Sequence, residues 1–230
     1  IGKAIAIALA ATGAKLILFD LADASETAAQ IHSHGGKARN VQGNVSSEPD
    51  ILKLFAEINR VESRLDITVN CAGIQLIRPL LETTTADLES VVATNLKGTF
   101  LVGRESARIM QREPPGSRII NIASELAYTG RAKFSAYCAT KGAILSLTRS
   151  WARELAPHIR VNAVAPGPTD TQMVSLDCLT PEELKEESNI PLQRIAKPEE
   201  IAATVVFLAG PGATYFTGQC LSPNGGAVMF

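Results

Sequence analysis

The sequence predicts a doubly wound parallel sheet, an α/β fold forming a single domain over residues 1–230, and three observations carry that prediction. Short apolar runs, several of them β-branched as in strands buried on both faces, recur at 15–20, 37–42, 67–69, 118–123, 160–164 and 219–222. Segments with apolar residues at helical spacing alternate with them. Small or polar residues collect at the carboxyl ends of the runs, where a sheet of this kind has its ligand crevice.

The composition is that of an ordinary folded chain. Its 230 residues are 46% hydrophobic and 20% charged, length enough for one substantial core. A net charge of −1 gives no basis for a nucleic-acid or acidic-membrane partner. No apolar stretch reaches the roughly 18 residues of a spanning helix, and no secretory leader is visible. Cys71, Cys138, Cys178 and Cys220 form no CxxC pair, and His32, His34 and His158 have no ligand company. No metal site or disulfide framework is therefore expected, and free thiols suit a reducing cytoplasm.

In chain order, KAIAIALAATGA from Lys3 reads as a helix stopped by Gly13, followed by the strand KLILFD ending in Asp20. A helix leading into a parallel strand implies a strand ahead of it. None precedes Ile1 here, so the sequence is expected to lack its first strand and its true N-terminus. A helix over about 24–33 ends at Gly35-Gly36 and a strand over Lys37–Gln42 runs into Asn44-Val45. A helix over Glu48–Val61 precedes the strand that delivers Asn70-Cys71-Ala72-Gly73. The stretch 86–113, opened by Thr85 and closed by Pro114-Pro115-Gly116, reads as a helix or a broken helix carrying Asn95, a poor helix former at mid-length.

RIINIA then forms a buried strand with Ser124 at its end, and Ser135–Leu155 forms a helix on which Tyr137 and Lys141 stand at i and i+4. The phenol and the ammonium are neighbours by geometry. A free tyrosine titrates near ~10, too high for neutral-pH proton transfer, but a nearby cation favours the phenolate. Ser124, 13 residues before Tyr137, would reach the same substrate oxygen. Further on, Pro166-Gly167 turns the end of the next strand. The stretch 173–192 mixes Met173, Val174, Leu176 and Leu179 with a helix opened by Thr180-Pro181-Glu182-Glu183, a capping box with proline at the first helical position. It is expected to act as a lid over the site and to line a substrate pocket of some hydrocarbon character.

These motifs together resemble the short-chain dehydrogenase/reductase family over essentially the whole chain. The resemblance implies a Rossmann-type fold and an oxidoreductase that interconverts a secondary alcohol and a ketone, the substrate being 3-oxoacyl, sugar, polyol or similar. It identifies Tyr137 as acid/base, Lys141 as its partner and a ligand of the nicotinamide ribose, Ser124 as the holder of the substrate oxygen, and Asn95 as the keeper of a water in a proton relay. For the cofactor it implies Gly2 as the last glycine of the phosphate loop and Asp20, 18 residues on, as the ribose ligand. Asn44 and Val45 would meet adenine, Asn70, Ala72 and Gly73 would form a wall, Pro166 and Gly167 would face the nicotinamide, and Thr169 and Thr171 would hold carboxamide and phosphate. Asp20 would repel a 2′-phosphate, so NAD is expected over NADP, with a lean toward oxidation. The family pattern is departed from at Asn44 and Asn224, where aspartate is usual, and at Cys71, where asparagine is. A homotetramer is implied by the resemblance alone. The rival reading is a non-catalytic dinucleotide-binding sensor or scaffold on the same fold, which the set Asn95, Ser124, Tyr137 and Lys141 argues against.

Overall fold

The alternation read from the sequence is present in a computed structural model, which describes residues 1–62, 64–171, 173 and 180–229. The elements run α1 (Gly2–Ala11), β1 (Lys15–Asp20), α2 (Ser25–Ser33), β2 (Lys37–Gln42), α3 (Glu48–Val61), β3 (Ile67–Asn70), α4 (Thr85–Val91), a π-helical turn (Val92–Gly98) and α5 (Thr99–Met110). They continue with β4 (Ser117–Ile122), α6 (Leu126–Thr129), α7 (Ser135–Leu155), β5 (Ile159–Val164), α8 (Pro181–Glu187), α9 (Pro198–Ala209) and β6 (Cys220–Leu221). Every strand pairing is parallel, in the orders β1-β2 and β3-β4-β5-β6.

Period-2 alternation decides which helices cover which face. Ile120 and Ile122 of β4 pack with Ile5 and Leu9 of α1 and Ile201, Val205 and Leu208 of α9. Ile119, from the opposite face, packs with Met110 of α5, Trp151 of α7 and Val161 of β5. That two-sided cover is what makes the sheet doubly wound. On the second face α5 and α7 approach so closely that a Cβ on Gly103 would lie 2.2 Å from the Trp151 ring, so only glycine fits there.

β1 and β3 do not pair; Leu16, Leu18, Ile67 and Val69 instead line one cavity of about 1690 Å³ between the two sheets. The same cavity reaches the carboxyl ends of β1, β3, β4 and β5.

Of the two readings left open for 86–113, a helix or a broken helix, the structure shows the broken one, and its details differ. Thr84, not Thr85, is the cap: its side chain accepts from the Asp87 N–H at 3.2 Å, and Asp87 accepts in return from the Thr84 N–H. The break is the π-helical turn, whose wider register carries Asn95. The capping box predicted at Thr180 and Glu183 is formed. Val174, Leu176 and Leu179, expected in the lid, lie outside the described residues.

A buried polar chain ties the site-bearing elements together. Asn70, at the end of β3, donates to Asn121 of β4 at 2.8 Å, and Asn121 donates to Thr148 of α7 at 2.9 Å. All three side chains are buried, so breaking one link strands a polar group at a cost of about 1–3 kcal/mol. The loop after β3 is thereby held in register with the helix bearing Tyr137 and Lys141.

Candidate active site

β4 ends at Ile122, and the three chemical groups sit around that end. Lys141, 5% exposed, donates from Nζ to the Ile122 carbonyl at 2.8 Å. Its ammonium lies 5.7 Å from the centroid of the Tyr137 ring, one helical turn away on α7. Ser124, two residues beyond the strand, accepts at Oγ from the Leu126 N–H at 3.2 Å and donates to Glu125 Oε2 at 3.0 Å. Ser124, Tyr137 and Lys141 all line the cavity of about 1690 Å³.

The protonation of this cluster differs from the expectation of an acidified phenol. Burial pushes the Tyr137 hydroxyl up to about 12; a hydrogen bond with Ser124 pulls it partly back, while Glu125, Cys138 and Cys71 add to the rise. Burial also holds the Lys141 ammonium down, to about 8. The physical reason is that both groups must leave water to form the pair, and the ammonium is turned onto a main-chain carbonyl rather than onto the phenol oxygen. In the chain by itself the Tyr137 phenol is thus neutral at pH 7.

Asn95 stands behind the cavity and is not part of its lining. It is 1% exposed, and its amide is fully engaged: Oδ1 accepts from the Ile74 N–H at 2.8 Å, and Nδ2 donates to the Ile74 carbonyl at 2.9 Å and to Thr140 at 3.1 Å. It clamps the loop after β3 onto α7. Gly73 fits between them, since a Cβ there would sit 3.3 Å from Asn95 Oδ1 and 3.6 Å from Lys141 Nζ.

The remaining residues expected at the site, Gly2, Asp20, Asn44, Val45, Asn70, Ala72, Gly73, Pro166, Gly167, Thr169 and Thr171, all line the cavity. Asp20 is exposed at the end of β1, and its carboxylate accepts from the Ala22 N–H at 2.9 Å. Asn44 departs from the expectation in one respect. Its Oδ1 already accepts from the Ser46 N–H at 2.9 Å and the Ser46 hydroxyl at 2.8 Å, so the amide nitrogen, a donor, is the group left for a ligand. Gly167 is set by contact: a Cβ would lie 2.6 Å from Asn224 Cα. Asn224 in turn donates to Ser222 at 2.9 Å and to the Val228 carbonyl at 2.9 Å, bonds an aspartate could not make.

The cavity suits a dinucleotide. Ile1, Gly2 and Lys3, at the first turn of α1, line the cavity as well. Among the described residues no three His, Cys, Asp or Glu side chains gather as a metal site would need.

Among the charged residues of the lining that the sequence did not single out, Glu125 and Arg131 lie beside Ser124 and α8. Glu125 bonds Ser124 directly, and Arg131 bridges to Glu187 at 2.5 Å and Glu186 at 3.1 Å on α8. The signal for Glu125 was an acid directly after the strand-end serine; for Arg131, a tertiary contact, there was none.

Comparison with known proteins shows the family. A family model described as enoyl-(acyl carrier protein) reductase matches residues 1–228. The chain is 40% identical over 232 residues to a 3-oxoacyl-(acyl-carrier-protein) reductase of Aquifex aeolicus, covering 98% of this chain and 92% of the relative. Among solved structures, a short-chain glucose/ribitol dehydrogenase from Brucella melitensis superimposes with a TM-score of 0.89 at 34% identity, covering 100% of this chain and 92% of that one. A blue fluorescent protein from a metagenomic library, in complex with NADPH, superimposes with a TM-score of 0.90 at 32% identity, covering 98% and 92%. The chain belongs to the short-chain dehydrogenase/reductase family, whose members are oxidoreductases acting on CH–OH groups.

Proposed function

We propose that this oxidoreductase interconverts a ketone and a secondary alcohol with NAD(H), using Tyr137 as the acid/base. The observation that carries the reading is the meeting of Ser124, Tyr137 and Lys141 on one cavity that also runs to the end of β1. The dinucleotide, when bound, supplies or takes up the hydride. The first turn of α1 with Gly2 would hold its pyrophosphate, Asp20 its adenosine ribose, and Asn44 and Val45 its adenine. Asn70, Ala72 and Gly73 would wall it, with Pro166, Gly167, Thr169 and Thr171 at the nicotinamide end. Lys141 would bond the nicotinamide ribose. Asn95 acts from behind the lining, by holding Ile74 and Thr140. Tyr137 gives its proton to a ketone oxygen that Ser124 steadies, or takes it from the alcohol when the reaction runs the other way.

The choice of NAD over NADP rests on the charge at the ribose corner. Asp20 and Asp23 both line it, and the nearby cation Lys3 is paired with Glu26 at 3.0 Å. A 2′-phosphate would meet carboxylates. Replacing Asp20 with Ala is expected to lower the preference for NADH over NADPH by about 10-fold, on the scale of one lost charge interaction of ~1.4 kcal/mol. Steady-state kcat/KM for the two cofactors with a common ketone checks this, and an unchanged ratio removes Asp20 from the role.

The substrate is a ketone of the 3-oxoacyl or sugar and polyol type, the classes named for the Aquifex and Brucella relatives. A screen of NADH oxidation against 3-oxoacyl thioesters and keto-sugars distinguishes them, and no turnover across both classes contradicts the proposal. Helix α8, anchored by Arg131, serves in this reading as part of a lid over 173–192. The unpaired thiols Cys71, Cys138 and Cys220 fit a cytoplasmic setting.

A homotetramer is the expected assembly, because two separate apolar faces are bare. Leu80, Leu81, Leu88 and Phe100 lie exposed around α4 and α5, and Phe207 and Tyr215 around the end of α9. Light scattering should return four times the chain mass of 24.4 kDa; a monomer would contradict it.

A further inference from the structure

Glu125 is a buried acid with its carboxylate on the catalytic serine. It is 8% exposed, lines the cavity with Ser124 and Tyr137, and accepts the Ser124 hydroxyl at Oε2 over 3.0 Å. The main chain leaves the pair little freedom. The Glu125 N–H donates to the Pro166 carbonyl at 3.1 Å, and the Leu126 N–H donates to Ser124 Oγ at 3.2 Å. A serine hydroxyl has one proton to give. While that proton points at Glu125, it is not available to a substrate oxygen.

Resting on the oxidoreductase reading above, we propose that Glu125 is a positioning residue that sets the role of Ser124. Protonated, Glu125 donates to Ser124 Oγ, and the Ser124 proton turns to the oxygen of a bound ketone. Ionised, it draws the Ser124 proton to itself and leaves the ketone with Tyr137 as its single donor from this pair. No bond to carbon changes in the switch; one proton is exchanged between Glu125 and solvent.

The groups around Glu125 place this switch near neutrality. Arg131, beyond α6, favours the ionised form, but it is shared with Glu186 and Glu187 of α8, and Glu187 opposes ionisation. From α7, Tyr137 and Cys138 feel the Glu125 charge and add none of their own at neutral pH. Burial is the largest influence and pushes the Glu125 carboxyl up to about 7, against the Ser124 hydrogen bond that lowers it. Ketone reduction should therefore fall as pH rises through that value, toward the lower rate that Tyr137 supports as the single donor. The phenol of Tyr137, held at about 12, stays protonated throughout.

Two measurements test the proposal. In the first, kcat/KM for ketone reduction is followed from pH 5.5 to 9 (roughly, spanning the neutral range in which general acids work) for the wild type and Glu125→Gln. Glutamine keeps the shape and does not titrate, so the limb near neutrality should vanish, leaving the titration of Lys141 at higher pH. In the second, the Glu125 carboxyl is titrated by carbon-13 NMR of glutamate-labelled protein, with the resonance assigned by its loss in Glu125→Gln. Its midpoint should lie near neutral pH and move up in Ser124→Ala, which removes a bond that favours the ionised form. A limb near neutral pH that survives Glu125→Gln, or a midpoint in the ordinary carboxyl range of about 4, overturns the proposal. Turnover by Tyr137→Phe, or failure of all ketones as substrates, would strike the oxidoreductase reading instead, and the NMR titration still decides the coupling of Glu125 to Ser124.

Discussion

Replacing Tyr137 with Phe is expected to lower kcat for ketone reduction by about 10³-fold, within the range for loss of a general acid, while leaving the affinity for NADH within about twofold, a change of ~0.4 kcal/mol. The phenyl ring keeps the packing of α7 against the cavity and removes the hydroxyl alone. In the proposed reading Tyr137 would reach the substrate oxygen, whereas Asp20, the first turn of α1 and the loops after β3 and β5 would hold the cofactor. Stopped-flow hydride transfer together with fluorescence titration of NADH separates the two effects. Retained turnover would remove Tyr137 from the chemistry; lost NADH binding would show that its ring serves the cofactor instead.

Lys141→Met is expected to separate function from stability. The ammonium is buried and its pKa falls from 10.5 to about 8, so carrying it charged at pH 7 costs the folded protein about 3 kcal/mol. Its hydrogen bond to the Ile122 carbonyl offsets roughly 1–3 kcal/mol of this. Methionine of similar length should leave the unfolding free energy of the cofactor-free protein at pH 7 equal or somewhat higher. Activity should fall by about 100-fold or more, the lower end for a lost acid/base partner. The pH dependence has a definite sign. Between the folded pKa near 8 and the unfolded value of 10.5 the unfolded chain binds the extra proton, so the wild type gains stability relative to Lys141→Met as pH rises through that window. Urea unfolding at pH 7 and 9.5 checks it; two parallel stability profiles would mean that Lys141 is not desolvated as the structure places it.

Much of the site was legible because it is local. The i, i+4 spacing puts Tyr137 and Lys141 on one face of α7 whatever the tertiary structure does, and the apolar run before Ser124 ends where a parallel strand presents its residues to ligands. Other features depended on contacts no spacing encodes. The direction of the Tyr137 shift was misjudged from sequence because the i, i+4 rule sees the ammonium and not the burial, nor the Ile122 carbonyl that captures it. At Asn95 a helix defect was visible, but the π-helical turn and the clamp on Ile74 arise from a loop 21 residues earlier. Asn44 looked like a weakened aspartate; its oxygen proves to be occupied by Ser46 two positions on, a local Asx turn that the sequence GNVSS permitted. Arg131 finds its acids 55 and 56 residues away, beyond any periodicity.

The most direct measurement is a crystal structure with NADH and a slowly reduced ketone bound together. The ketone oxygen should lie within hydrogen-bonding distance, about 2.6–3.2 Å, of both Tyr137 Oη and Ser124 Oγ, with Lys141 Nζ on the nicotinamide ribose. A ketone seated in the cavity with its oxygen on neither hydroxyl would contradict the assignment of this cluster as the place where the proton moves.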